Sequence, residues 1–198
     1  MIAIVDYGAG NLRSVQNTLD EIGAEYNVFT TPEGLDAATK IVLPGVGHFG
    51  QMMGALDDRK LQAAVLERIA AKVPLLGICV GLQCLFEASE EAPGVPGLGL
   101  FKGTITRFSK DQRVPHMGWN TLDRVKDCRL LDGLGDHPYV CFLHSYYAPL
   151  TEATAASCTY GQPYTAMLHQ ENIYAVQFHP EKSGPIGLRV MRNFIELC

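Results

Sequence analysis

The 198-residue sequence predicts an α/β sandwich on a mostly parallel sheet, with antiparallel strands added to it. Three features point there. Short β-branched runs alternate with segments of helical periodicity, which is the pattern of strand and crossover helix. The runs are apolar throughout, as strands buried on both faces are. In the middle of the chain, from Gly97 to Leu168, strand-like pieces succeed one another without helices between them.

The buried-strand runs are Ile2 to Val5, Lys40 to Leu43, Leu75 to Ile78 and Ile173 to Phe178. Asn11 to Ile22 places Leu12, Val15, Leu19 and Ile22 on one helical face, and Leu61 to Ala71 does the same with Val65, Leu66 and Ile69. Ile186 to Leu197 closes the chain as a third amphipathic helix, and Leu82 to Ala88 reads as a helix after the third strand. Thr104 to Phe108, Tyr139 to Leu143 and Thr165 to Leu168, separated by turn residues, read as antiparallel additions. Glu90 to Gly99, acidic and rich in proline and glycine, reads as a surface loop. No linker, repeat or low-complexity tract divides the chain, so residues 1–198 are expected to form one domain.

Composition narrows the function. Hydrophobic residues make up 47% of the chain, enough for a full core. With 21 acidic against 16 basic residues the net charge is −5, and no basic cluster offers a footprint for nucleic acid. The start MIAIVDY has neither the basic nor the apolar part of a leader, and Val73 to Leu82 is broken by Pro74 and two glycines and is too short for a bilayer. Neither secretion nor a membrane is expected. The cysteines at 79, 84, 128, 141, 158 and 198 form no CxxC pair, and read as reduced thiols of a cytoplasmic protein, most of them core filler.

Ligands of open α/β sheets collect beyond the carboxyl ends of the strands, so the segment after each strand carries the chemistry. Gly77-Ile78-Cys79-Val80-Gly81 has the form of a nucleophile elbow with cysteine at its tip. A helix N-terminus behind Cys79 would favour thiolate, the form that attacks. His179-Pro180-Glu181 comes after the last strand. Residues two apart on an extended chain share a side, so Glu181 can bond one imidazole nitrogen and leave the other to take the thiol proton. Pro44-Gly45-Val46-Gly47 comes after the second run and offers backbone N–H groups which, with that of Val80, suit an oxyanion. Gly8-Ala9-Gly10 lacks the third glycine of a dinucleotide fingerprint, because Arg13 stands there, so a nicotinamide or flavin site is not expected.

Together, Gly77, Cys79, Gly81 and Gln83, with His179, Pro180 and Glu181 further on, resemble the G-x-C-x-G-x-Q and H-P-E pattern of class I (triad) glutamine amidotransferases, whose three-layer, flavodoxin-like fold matches the predicted class. Within that family the chain closely resembles the glutaminase subunits of imidazole glycerol phosphate synthases. The resemblance runs from Asp6-Tyr7-Gly8-Ala9-Gly10-Asn11 through His116-Met117-Gly118-Trp119-Asn120 and His144-Ser145-Tyr146-Tyr147 to Lys182-Ser183-Gly184.

The resemblance implies a catalytic triad of Cys79, His179 and Glu181, and an oxyanion strand at Gly45, Val46 and Gly47. It also implies substrate contacts from Gln83 and from the His144, Ser145 and Tyr146 segment. L-glutamine would be the substrate, with no cofactor or metal. The partner would be a separate (β/α)8-barrel cyclase of histidine biosynthesis, docked near Asn11 and Trp119. Three other readings stay open at this point: the glutaminase of another amidotransferase, a cysteine peptidase of similar fold, and a non-catalytic subunit.

Overall fold

A computed structural model describes residues 1–8 and 11–198 of the chain. The first half of the chain runs through β1 (Ile2–Val5), α1 (Leu12–Glu21), β2 (Tyr26–Phe29), β3 (Lys40–Gly45), α2 (Phe49–Asp58), α3 (Leu61–Ala70), β4 (Leu75–Cys79) and the single turn α4 (Val80–Gln83). Six strands come next, β5 (Phe86–Ser89), β6 (Phe101–Arg107), β7 (His116–Thr121), β8 (Asp123–Arg124), β9 (Tyr139–His144) and β10 (Tyr146–Tyr147). The chain ends with β11 (Thr154–Tyr160), β12 (Gln162–Gln170), β13 (Ile173–Val176) and α5 (Gly184–Leu197).

Eight strands make the main sheet in the order β2-β1-β3-β4-β13-β12-β11-β8. The first five are mutually parallel, and the last three run antiparallel to their neighbours. Every residue of β1, β4 and β13 is buried, which explains why these strands read as unbroken apolar runs. From β1 the chain steps outward to β2, whereas from β3 it steps the other way to β4. Right-handed crossovers then put α1 on one face and α2 with α3 on the other, and α5 packs beside α1. The strand order reverses between β1 and β3, so a crevice opens at that edge, where ligands of such sheets bind.

Two smaller sheets flank this edge. β5 and β6 are parallel, with β10 antiparallel to β6, while β7 and β9 pair as an antiparallel ribbon with His116 opposite His144 and Trp119 opposite Cys141. The antiparallel additions expected from the middle of the chain are therefore present. β2, β7, β11 and α2 are elements that the hydrophobic pattern does not predict.

One helix is corrected. After Cys79 only Val80–Gln83 is helical, and Phe86–Ser89 is a strand. The carbonyls that a longer helix would use are taken by residues 98–101. Leu98 N–H donates to Cys84 O at 2.7 Å, Leu100 and Phe101 N–H to Leu85 O at 2.9 and 3.1 Å, and Gly99 N–H to Phe86 O at 3.2 Å. The end of the expected surface loop is thus a strap across the chain just after the elbow. Gly97 lies so close that a Cβ there would fall 2.0 Å from Phe86 O.

Candidate active site

Cys79 ends β4 with φ +54° and ψ −109°, a conformation that costs a non-glycine residue free energy and persists because its surroundings enforce it. Those surroundings are backbone. A Cβ on Gly81 would meet Leu43 O at 2.1 Å, one on Gly45 would meet Gly81 N at 2.3 Å, and one on Gly77 would meet Gly81 O at 2.6 Å. The glycines of the elbow and of β3 thus let two backbone segments press together, and the sharp turn projects the sulfur between them. Because α4 is one turn long, side chains rather than a helix dipole set the polar environment of the sulfur.

His179 stands just past β13, the strand beside β4. Its Nδ1 lies 2.8 Å from Glu181 Oε1, and both side chains are almost wholly buried. The segment is not the extended stretch that its spacing suggests. Pro180–Lys182 is a 3₁₀ turn with proline at its first position, where a fixed φ and a missing N–H cost nothing. Ser183 Oγ locks the turn, donating to His179 O at 2.7 Å and accepting from Cys141 N–H at 2.9 Å. Asn11 Nδ2 reaches Glu181 Oε1 at 3.5 Å, so this residue, expected at an interface, also touches the triad.

Burial alone would push the His179 imidazole toward its neutral form. Hydrogen bonds to Cys79 and Glu181, together with the negative charge of both, outweigh that and raise its pKa to about 10. A protonated imidazole between sulfur and carboxylate is the resting arrangement this favours. Cys84, five residues away, shows the contrast: wholly buried with no such partner, its thiol is pushed up to about 12.

A cavity of about 480 Å³ opens in front of the sulfur. It is lined by Cys79, Val80, Gln83 and His179, by Val46 and Gly47 from the end of β3, by His144, Ser145 and Tyr146, and by Asn11. Gly45 lies beneath the elbow, Glu181 behind the imidazole, and Trp119 outside on β7. The two glycine positions therefore differ in their work: Gly45 allows close approach, while Gly47, at φ +89°, bends the backbone beside the cavity. Ala9 and Gly10, part of the glycine motif weighed against dinucleotide binding, lie outside the described residues.

The far wall is held differently. Tyr146 O accepts from Gln83 Nε2 at 2.8 Å and from His144 Nδ1 at 2.8 Å. Since a carbonyl only accepts, His144 carries its proton on Nδ1 and its Nε2 accepts from the Tyr164 hydroxyl at 3.3 Å. The Tyr164 oxygen in turn accepts from His116 Nδ1 at 3.2 Å. Aromatic rings enclose this chain; the His116 ring stacks on Tyr160 with centroids 4.0 Å apart. Burial lowers the pKa of His116 to about 4 and, against the opposing hydrogen bond to Tyr146 O, that of His144 to about 3, with the positive charge of His179 adding to the effect at His144. Both are neutral at physiological pH.

On the outer face of the β7–β9 ribbon, Met117, Trp119, Tyr139 and Leu143 form an exposed apolar row, with Trp119 56% exposed. Trp119 is therefore a surface residue and not core filler. Among the described residues, no group of three or more His, Cys, Asp or Glu side chains could hold a metal ion, and no helix is long and apolar enough to cross a membrane.

Sequence reasoning misses Gln177, Tyr164 and His116 as parts of the site. Gln177 stands within reach of the reasoning that pairs His179 with Glu181, being two residues upstream of His179. Tyr164 carries no local signal, because its importance comes from packing between His116 and His144.

The sequence matches the family model described as glutamine amidotransferase class-I over residues 3–197. The chain belongs to this family. A solved structure described as a glutamine amidotransferase superposes with a TM-score of 0.78 at 22% identity, over 100% of this chain and 98% of that one. The structure of PurLQS from Thermotoga maritima does so with 0.77 at 19% identity, over 98% and 96%. Curated relatives refine the placement. The imidazole glycerol phosphate synthase subunit HisH of Methanothermobacter thermautotrophicus is 50% identical over 100% of this chain and 98% of its own length, and that of Thermococcus kodakarensis is 46% identical over the whole of both. Within the class I amidotransferases, the chain groups with these HisH subunits.

Proposed function

We propose that this chain, as a single amidotransferase domain, is the glutaminase subunit of an imidazole glycerol phosphate synthase, with Cys79 as nucleophile. The observation that carries the reading is that the Cys79 sulfur and the His179 imidazole line one cavity of about 480 Å³, with the Glu181 carboxylate 2.8 Å behind the imidazole. Cys79 attacks the side-chain amide carbon of glutamine, forming a carbon–sulfur bond. The carbonyl oxygen becomes an anion, and its donors in this reading are the N–H groups of Val46, Gly47 and Val80, residues that line the cavity. As the carbon–nitrogen bond breaks, His179 gives its proton to the leaving nitrogen and ammonia departs, leaving a glutamyl thioester. Water then attacks this thioester, His179 takes the water's proton, and the sulfur leaves as glutamate forms. Glu181 keeps the imidazole oriented and stabilises its charged form throughout. Gln83 and the His144 to Tyr146 segment contact the substrate.

Ammonia loses its nucleophilicity once it is protonated in bulk water, so it must pass under cover to a second active site. The exposed row of Met117, Trp119, Tyr139 and Leu143 beside the cavity supports docking of a (β/α)8-barrel cyclase, which uses the ammonia to form imidazole glycerol phosphate and aminoimidazole carboxamide ribonucleotide in histidine biosynthesis. Cys79→Ala should lower glutamine hydrolysis by at least about 10³-fold. In the assembled complex it should leave cyclisation on added ammonium salts intact. Glutaminase activity near the parental rate would reject the nucleophile. Trp119→Ala should weaken cyclase binding by about 2 kcal/mol, as read by titration calorimetry; unchanged affinity and coupled activity would reject the surface.

A further inference from the structure

Gln177 comes just after β13 and is wholly buried, yet it is bonded on both sides to the site. Its Oε1 accepts from Gln83 Nε2 at 3.1 Å, and its own Nε2 lies 3.6 Å from the Cys79 sulfur, within hydrogen-bond range for that large atom. The orientation of this amide is fixed by counting hydrogens. Gln83 Nε2 has two, one spent on Tyr146 O and one on Gln177 Oε1. Reversing the Gln177 amide would set two N–H groups against each other and turn a carbonyl oxygen toward the sulfur. The donor end therefore faces Cys79. With both Gln83 hydrogens committed, its Oε1 is the acceptor left for a ligand in the cavity that Gln83 lines.

We propose that Gln177 donates a hydrogen bond to the reacting sulfur, additional to that of His179, and through Gln83 sets an acceptor for a hydrogen-bond donor of the substrate. This rests on Cys79 being the nucleophile. A donor to the anionic form favours that form, so Gln177 acts in the same direction as the imidazole. The other ionisable groups around the sulfur are the His179–Glu181 pair after β13, Tyr7 after β1, His144 on β9, and Glu91 and Lys182 at the cavity. Gln177 is the neutral donor among them.

Gln177→Met keeps length and burial while removing both hydrogen bonds. In the full-length chain, the acid limb of Cys79 alkylation by iodoacetamide against pH should move up by about one unit. The same variant should lose about tenfold or more in kcat for glutamine, the size of one hydrogen bond to a charged group. Gln83→Met should raise KM for glutamine and move the alkylation limb less than Gln177→Met does, because the donor to the sulfur stays on Gln177; this separates the two roles. Should Gln177→Met lose cooperative unfolding, Gln177→Glu gives the same test: ionised, it keeps the acceptor for Gln83 and has no donor, so the acid limb of alkylation should again move up by about one unit. Parental kinetics and a parental alkylation profile in a folded variant would overturn the proposal. Glutaminase activity retained by Cys79→Ala would instead overturn the reading beneath it.

Discussion

The two walls of the cavity are built by opposite means. On the nucleophile side, the tips of β3 and β4 meet through glycines, and backbone touching backbone fixes the position of Cys79. On the far side, β9 and β10 are held by side chains: the His116, Tyr164 and His144 chain and the rings around it place the Tyr146 carbonyl. Backbone contact cannot yield, whereas a network of rings and hydrogen bonds can lose one member and relax. The nucleophile wall should therefore fail abruptly on substitution, and the far wall by degrees.

The sharpest break of this contrast is Gly81→Ala. The added methyl would sit 2.1 Å from Leu43 O, so β3 must move; a loss of about 3 kcal/mol in urea unfolding is expected, together with loss of turnover. A loss below about 1 kcal/mol would show that the elbow adapts as readily as the far wall.

Acid and alkali also separate the walls. His116 and His144 have folded-state pKa values below the unfolded value near 6.5, so the unfolded chain binds more protons between about pH 4 and 6.5. Stability contributed by their neutral forms is present above pH 6.5 and is lost on acidification, by up to about 1.4 kcal/mol per pH unit for each fully buried ring. His179 has the reverse sign. Its folded pKa is raised to about 10, so its contribution is complete below pH 6.5 and is lost as pH climbs toward 10. Urea midpoints of His144→Gln should flatten only the acid side of the profile, and those of His179→Gln only the alkaline side. Flattening of the same side by both would dissolve the distinction.

The smallest effect is expected from Tyr164→Phe, which removes the hydroxyl between the two histidines while keeping the ring. It should cost about 1–2 kcal/mol of stability for two lost hydrogen bonds and raise KM for glutamine more than it lowers kcat, because it loosens the far wall and not the sulfur. A change in kcat alone would place Tyr164 with the other wall.

Legibility in the sequence divides along the same line. The parallel strands announce themselves because strands buried on both faces need unbroken apolar runs, and the elbow because close approach demands glycine at 77 and 81. β7 is hidden: His116-Met117-Gly118-Trp119-Asn120 alternates between an enclosed face and an exposed apolar one, so periodicity gives no inside. α2 is hidden too, since two glycines weaken its helical signal. Its start is secured from elsewhere, by the His48 ring accepting from Gly50 N–H at 3.1 Å and Glu91 accepting from Phe49 N–H at 2.7 Å. Gln177 and Gln83 are 94 residues apart, and only the fold brings their amides together.

The strap at residues 98–101 decides where this chain can be lengthened. Extra residues inserted among 93–96, past the contacts of Glu90 and Glu91, would merely enlarge a surface bulge. The same residues added one turn later would prise the amides of Leu98 and Leu100 from the carbonyls behind the elbow and slacken the joint that aims the sulfur. Lineages that vary the length of this loop would then show their variation on one side of Gly97 and constancy on the other.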